Sequence, residues 1–179
     1  MTTYKDIHGT KVEVRTDDPA NPINGQVWYN SGTLKGFKIN SGGAWSTGGS
    51  LNTARYSLAG AGTQTSALAI GGTLDPPVSA LVESYNGSAW TEVGDLNEAR
   101  YEIGGAGASN TAALAFGGGP GSGQTAKTEN WNGSGWTEVA DLNTARRAFS
   151  NAEAGTNTAA LVFGGTPGSG RTDKTEKWN

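Results

Sequence analysis

Leu51-Asn52-Thr53-Ala54-Arg55 is written again as Leu96-Asn97-Glu98-Ala99-Arg100 and a third time as Leu142-Asn143-Thr144-Ala145-Arg146. Each Arg is followed by a small-residue stretch and then an apolar run ending in a Gly pair: Gly71/Gly72, Gly117/Gly118 and Gly164/Gly165. A Glu-x-aromatic-Asn turn comes next, as Glu83-Ser84-Tyr85-Asn86, Glu129-Asn130-Trp131-Asn132 and Glu176-Lys177-Trp178-Asn179. Trp45, Trp90 and Trp136 close the units. Arg55, Arg100 and Arg146 are spaced by 45 and then 46 residues, a period typical of propeller and solenoid repeats. One unit copied along a chain means one architecture copied, which argues against a single asymmetric active site.

Composition agrees with many short strands. Gly supplies 29 of 179 residues while only 35% are hydrophobic, against a usual Gly content of ~7%. So much Gly would suggest disorder, except that the apolar residues arrive in regular short bursts separated by turns. The net charge of −3, with both signs scattered, gives no electrostatic footprint for nucleic acid. With no Cys there is no disulfide, thiolate metal site or Cys nucleophile. The N-terminus MTTYKDIHGTKVEV lacks the apolar core of a signal peptide, and no apolar run approaches the ~18 residues that span a bilayer. A soluble chain, made in the cytoplasm and not exported by a signal peptide, without membrane insertion, is expected.

Residues 1–36 differ from the rest and are read as an N-terminal arm, with the repeats over 37–179. In the arm, Lys11-Val12-Glu13-Val14-Arg15 alternates like a short strand, and the Asp17–Pro22 stretch breaks it. Gly25–Asn30, a Ser31-Gly32 turn and Thr33–Ile39 read as a hairpin. Within the unit that begins at Arg55, four strands are expected: 56–60, 66–70, 80–85 and 89–93. Asn86-Gly87 and Asn132-Gly133 suit a two-residue hairpin turn with positive φ at both positions. No stretch carries a convincing helical period.

The recurrence of Arg, small residues, an apolar strand, Gly-Gly, Glu-x-aromatic-Asn and a Trp at fixed offset resembles the kelch repeat, also found in the central domain of galactose oxidase. The likeness covers residues 55–179 fully and 37–54 in part. It implies an all-β fold, a kelch-type β-propeller of four-stranded blades, about three to this chain. Gly25-Gln26-Val27-Trp28-Tyr29-Asn30, Leu34-Lys35-Gly36-Phe37, the Leu-Asn-Thr-Ala-Arg runs and the Ala-Gly-Ala-Gly string carry a second resemblance. They are similar to repeat proteins of marine bacteriophages described as tail-fibre or other virion components. Propellers typically close with 4–8 blades, and in single-chain propellers of this family a half-unit at each end joins to close the ring. Here the last unit stops at Trp178-Asn179, before its closing Trp strand, while Ile39–Gly48 carries such a strand around Trp45. The expectation is a homodimer of six blades, each N-terminal strand completing the other chain's last blade.

The chemistry-bearing residues read mostly as structure. Gly118–Thr125 and Gly165–Thr172 nearly spell a phosphate-binding loop, but Gln124 and Arg171 stand where its Lys belongs and no helix follows. The copper site of galactose oxidase, which the resemblance would bring, needs two His and a cross-linked Cys; this chain has His8 alone. No metal or cofactor is therefore expected. Glu83, Glu129 and Glu176 recur at one place, so they are read as structural partners for Arg55, Arg100 and Arg146 rather than as a glycosidase pair. Trp45, Trp90 and Trp136, with Trp131 and Trp178, are read as packing between units. Trp28 and Tyr29 lie outside the repeat and suit either a docking surface or the core of the N-terminal hairpin. Positions that differ between repeats are free to serve function, which makes Asp75, Gln124, Lys127, Arg171, Asp173 and Lys174 the candidate ligand face. The expected function is that of a non-enzymatic virion structural or fibre protein. Its propeller would contact a surface glycan or another virion protein. The alternatives are a carbohydrate-binding or protein-interaction kelch module unconnected with a virion and, less favoured, a glycoside-active propeller.

Overall fold

The computed structural model describes residues 13–17, 20, 27–32, 36–39, 43, 45–149 and 153–179. His8, the first two residues of the 11–15 strand and most of the Asp17–Pro22 break lie outside that set. Among the described residues every regular element is a β-strand. The chain divides into two compact units, Met1–Thr47 and Gly48–Asn179. The expected boundary after residue 36 thus falls inside the first unit, because Gly36–Ile39 is a strand paired there.

In the first unit β1 (Glu13–Arg15), β2 (Val27–Asn30) and β3 (Gly36–Ile39) form one sheet in that order. β2 and β3 are antiparallel, with Asn30 opposite Gly36, so the strands do not close directly over the expected Ser31-Gly32 turn; residues 33–35 lie outside the described set. β1 pairs parallel to β2, an arrangement that alternation alone does not disclose. The Ser31 N–H and hydroxyl both donate to Arg15 O (2.6 and 2.8 Å), tying the loop back to β1. Trp28 is 5% exposed and so is buried rather than presented for docking; Tyr29 is half-buried.

The second unit holds the repeats. The first repeat forms an antiparallel sheet of β4 (Ala59–Thr63), β5 (Ser66–Ile70), β6 (Val82–Tyr85) and β7 (Trp90–Glu92). The second copies it with β8 (Gly104–Ser109), β9 (Ala112–Phe116), β10 (Thr128–Trp131) and β11 (Trp136–Val139). The third has three strands: β12 (Glu153–Gly155), β13 (Ala160–Phe163) and β14 (Thr175–Trp178).

The first strand of each repeat begins later than sequence suggests. Tyr56 makes only an isolated bridge to Thr73, and the regular strand starts at Ala59. The cause is Ser57, whose φ of 54° turns the backbone into the left-handed region. Glu102 (51°) and Ala148 (57°) do the same at the matching places. A Cβ makes that conformation unfavourable by about 1–2 kcal/mol, so propensity gives no warning of it. The Asn-Gly turns also differ. Tyr85 faces Trp90 across the pair, so the loop is the four residues Asn86–Ala89. Asn86 Oδ1 accepts from Ser88 N–H and Ala89 N–H, both at 3.0 Å, so the Asn caps the loop and Gly87 alone takes positive φ.

Two apolar layers fill the spaces between the sheets. Between the first and second, Leu68, Ile70 and Val82 meet Leu96, Ile103, Trp131 and Trp136. Between the second and third, Leu114 and Phe116 meet Phe149, Ala160 and Val162, with Leu142 and Trp178 at the margin. Small residues set the approach of the leading strands: a Cβ on Gly105 would lie 2.9 Å from Gly60 O and 3.0 Å from Ala59 Cβ. The Gly pairs have a similar cause. Gly117, at φ 60°, brings its Cα so close to the next repeat that a Cβ would sit 2.5 Å from Arg146 O.

Candidate functional site

The copied Arg and Glu meet in every repeat. Arg55 Nη1 donates to Gly71 O (3.0 Å) and Leu81 O (2.5 Å), and Nη2 to Glu83 Oε1 (2.9 Å). Arg100 treats Gly117 O (2.9 Å), Lys127 O (2.8 Å) and Glu129 Oε1 (2.6 Å) in the same way. Arg146 repeats it with Gly164 O (3.0 Å), Lys174 O (2.9 Å) and Glu176 Oε1 (2.7 Å). The other carboxylate oxygen accepts from the linker: Asn52 N–H to Glu83 at 2.7 Å, Asn97 N–H to Glu129 at 2.8 Å, Asn143 N–H to Glu176 at 2.6 Å. The Leu-Asn-x-Ala-Arg motif thus closes a loop on itself: its Asn backbone and its Arg side chain grip one carboxylate. The guanidinium side chains are fully buried, and their carboxylates nearly so. Nη1 and Nη2 meet two carbonyls and a carboxylate in a planar fork that suits Arg and not Lys, while the Nε of each is buried without a partner among the described residues.

The Trp residues divide. Trp136 is buried and its Nε1–H donates to Gly94 O (3.0 Å); Trp90, half-buried, does the same to Gly49 O (3.1 Å). Trp131 and Trp178 donate to Asn110 O and Asn157 O, each at 3.0 Å. Trp45, expected to pack as they do, is fully exposed in the single chain.

The candidate ligand residues lie on loops that share one edge of the repeats, since Tyr56 bridges Thr73, Tyr101 bridges Gly119 and Arg147 bridges Thr166. Asp75 is exposed at φ 61°. Gln124 is half-buried, its amide nitrogen beside Gly168 of the next loop. Arg171, Asp173 and Lys174 are exposed. Lys127 stands apart from this group, being tied to Glu98 (3.4 Å) and Glu138 (3.7 Å). The hydrogen bond and charge of Glu98, then the charge of Glu138, hold its ammonium pKa above the ordinary value. The near phosphate-binding loops lead into strands β10 and β14, so neither has a helix end to offer an anion.

Sequence reasoning missed the residue that follows each copied Arg. Tyr56, Tyr101 and Arg147 occupy this place, and they gather on the same loop edge. Arg147 Nη1 donates to the Tyr101 hydroxyl, its guanidinium lies 5.4 Å from the Tyr101 ring centre, and its Nε is 3.5 Å from Glu102 Oε2. Tyr56 is 54% exposed. Partial loss of hydration and then the Asp75 carboxylate push its phenol above the ordinary value, so it stays a donor throughout the neutral range. The signal was available, because this place changes from Tyr to Tyr to Arg beside an invariant neighbour. Together Tyr56, Asp75, Tyr101 and Arg147 give two phenol rings, a cation and a carboxylate on one edge. Such a set can stack on a flat apolar surface and hydrogen-bond at its rim.

Elsewhere, an apolar groove of about 470 Å³ runs along β4, lined by Leu51, Leu58, Ala67 and Trp90 of the first repeat, and continues across Gly105–Gly107 of β8 to Gly155 of β12. No group of three metal-ligating side chains occurs among the described residues. Among them, too, no helix is long and apolar enough to cross a membrane. No protein-family model and no curated protein matches the chain.

Proposed function

We propose that the protein is a non-enzymatic β-propeller of the kelch type, completed by a second copy of itself, that serves as a structural or fibre component of a bacteriophage particle. Its loop edge contacts a surface glycan or another protein of the particle. The observation that carries this reading is the division of labour among polar residues. Every copied Arg is buried and paired with its Glu, whereas the residues that differ between repeats, Lys127 excepted, collect on one loop edge around Tyr56, Asp75, Tyr101 and Arg147. A platform whose frame is fixed and whose rim varies is suited to holding and touching rather than to turnover. The four-stranded antiparallel sheets, stacked face to face in sequence order, support the propeller. The phage setting is supported by the resemblance of Gly25–Asn30, Leu34–Phe37, the Leu-Asn-Thr-Ala-Arg runs and the Ala-Gly-Ala-Gly string.

Quantitative mass spectrometry of purified particles tests the setting: the chain is expected at a fixed integer ratio to the other structural proteins, and its absence would sink the virion assignment. A glycan array tests the rim. Binding is expected to fall at least about tenfold in Tyr56→Ala and Arg147→Ala, with the circular dichroism spectrum unchanged. Binding that survives both changes would move the contact elsewhere. Turnover of a glycoside panel abolished by one Asp or Glu change would replace the proposal with an enzyme.

A further inference from the structure

The two junctions between repeat sheets are held by the same four main-chain hydrogen bonds. At the first, Gly72 N–H donates to Arg100 O (2.8 Å), Arg100 N–H to Ser79 O (3.2 Å), Leu96 N–H to Ala80 O (3.0 Å) and Glu102 N–H to Ser57 O (2.8 Å). At the second, Gly118 N–H donates to Arg146 O (3.0 Å), Arg146 N–H to Thr125 O (3.2 Å), Leu142 N–H to Ala126 O (3.0 Å) and Ala148 N–H to Glu102 O (3.1 Å). The same positions recur on the outer faces of the first and third sheets. On the first, the N–H groups of Leu51, Arg55 and Ser57 and the carbonyl of Arg55 have no partner among the described residues. On the third, the carbonyls of Ala148, Thr172 and Asp173 and the N–H of Gly165 have none. Three donors and an acceptor therefore stand on one face, and three acceptors and a donor on the other, in matching order.

The side chains match as well. Leu68 and Ile70 of β5 are buried against the second sheet, and Leu114 and Phe116 of β9 against the third. Their counterparts on β13, Leu161 and Phe163, face outward, and Phe163 is 41% exposed. On the opposite end, Leu96, Ile103, Trp131 and Trp136 bury the second sheet against the first. Their counterparts Leu51, Leu58, Tyr85 and Trp90 are only half-buried, and three of the four line the apolar groove or its rim along β4.

We propose that the outer face of the first repeat sheet docks head to tail onto the outer face of the third sheet of a second copy of this chain, in the register of the two internal junctions. This rests on the reading of the protein as a propeller completed by itself, and it supplies the contacts. The donors at Leu51, Arg55 and Ser57 meet the carbonyls of Asp173, Thr172 and Ala148, and Arg55 O receives Gly165 N–H. Phe163 and Leu161 enter the groove between Leu51, Leu58 and Trp90. Trp45 precedes Leu51 by the same six residues that separate Trp90 from Leu96 and Trp136 from Leu142. Its segment adds a fourth strand beside β14 of the second copy. Tyr85 faces Trp90 and Trp131 faces Trp136, their ring centres 4.9 and 5.4 Å apart. Trp45 then faces Trp178 of the second copy, and Ser46 faces Lys177. Two such contacts, related by a twofold axis, join two copies into one ring.

The chain has no Cys, so an engineered pair reports without background. Ser46→Cys combined with Lys177→Cys, oxidised in dilute solution, is expected to give a covalent two-chain species on a non-reducing gel, because directly opposed strand residues lie within disulfide reach. Light scattering on the unmodified chain is expected to give twice 18.3 kDa. Phe163→Asp is expected to weaken the association at least about tenfold with the circular dichroism spectrum unchanged, since that side chain is exposed in the single chain. A Ser46–Lys177 cross-link confined within one chain would overturn the second copy as occupant. A two-chain mass that neither forms the cross-link nor responds to Phe163→Asp would overturn this interface while leaving self-association intact. A single-chain mass at every concentration would overturn the docking itself, and particle abundance still decides the virion reading separately.

Discussion

The second and third repeat sheets are near copies in sequence and differ in what covers them. The second has four strands and apolar layers on both faces; the third has three strands and a layer on one. Phe116 is 3% exposed and its counterpart Phe163 is 41% exposed. Glu129 and Glu176 hold Arg100 and Arg146 in the same geometry, yet their side chains are 1% and 12% exposed. The Arg–Glu pair and its linker hydrogen bond thus form in each repeat, whereas burial is a property of the neighbour.

That contrast can be broken by substitution. The largest effect is expected at the ion pairs. Arg100→Met strands the Glu129 carboxylate without its cation and should cost about 3–5 kcal/mol in urea unfolding. Arg146→Met should cost clearly less, because water reaches Glu176; equal losses would mean that the third sheet is as closed as the second. The aromatic pair comes next. Phe116→Ala should cost about 3–5 kcal/mol, and Phe163→Ala in dilute solution no more than about 0.5 kcal/mol. A large loss at Phe163 under those conditions would show the outer face already covered.

Backbone strain should give a smaller effect of opposite sign. Ala148→Gly removes the Cβ from a left-handed residue, a relief of about 1–2 kcal/mol, partly offset by the greater freedom of Gly in the unfolded chain. A net gain of up to about 1 kcal/mol is expected, read as a rise in midpoint. Gly117→Ala introduces the Cβ that Ala148→Gly removes, against Arg146 O, and should lower the midpoint instead. The smallest effect is at the surface. Glu98 and Glu138 raise the folded-state pKa of Lys127 above its ordinary 10.5. The stability this adds is therefore complete below that value and vanishes as the pH rises through the folded-state one. Unfolding of the parent and of Lys127→Met should differ slightly at neutral pH and converge at strongly alkaline pH. A difference that grew with pH would reverse the assignment.

The parts readable from sequence are those that side chains specify. The Gly pairs, the Arg–Glu partnership, the strand Ser66–Ile70 and, two residues shorter than the expected 80–85, the strand Val82–Tyr85 follow from copied residue types whose chemistry admits few roles. The late start of the leading strand does not, because Ser57, Glu102 and Ala148 share no side chain that predicts a left-handed turn. Asn86-Gly87 misled in a different way: its amide oxygen captured two N–H groups and lengthened the loop. The parallel pairing of β1 with β2 depends on an encounter between segments whose spacing carries no rule. On the loop edge, Tyr56, Tyr101 and Arg147 were hidden by standing beside the strongest repeated residue, which drew the attention that variation next to it warranted.

The bonds from Glu102 N–H to Ser57 O and from Ala148 N–H to Glu102 O run peptide to peptide. The side chains at these positions, a hydroxyl, an acid and a methyl, take no part in them. A lineage can therefore change the side chain here, within what a left-handed backbone and an N–H donor allow, while keeping its repeats fastened in order. The fastening is inherited as geometry rather than as spelling, and a homologue could share every such link with this protein while sharing none of the letters that form it.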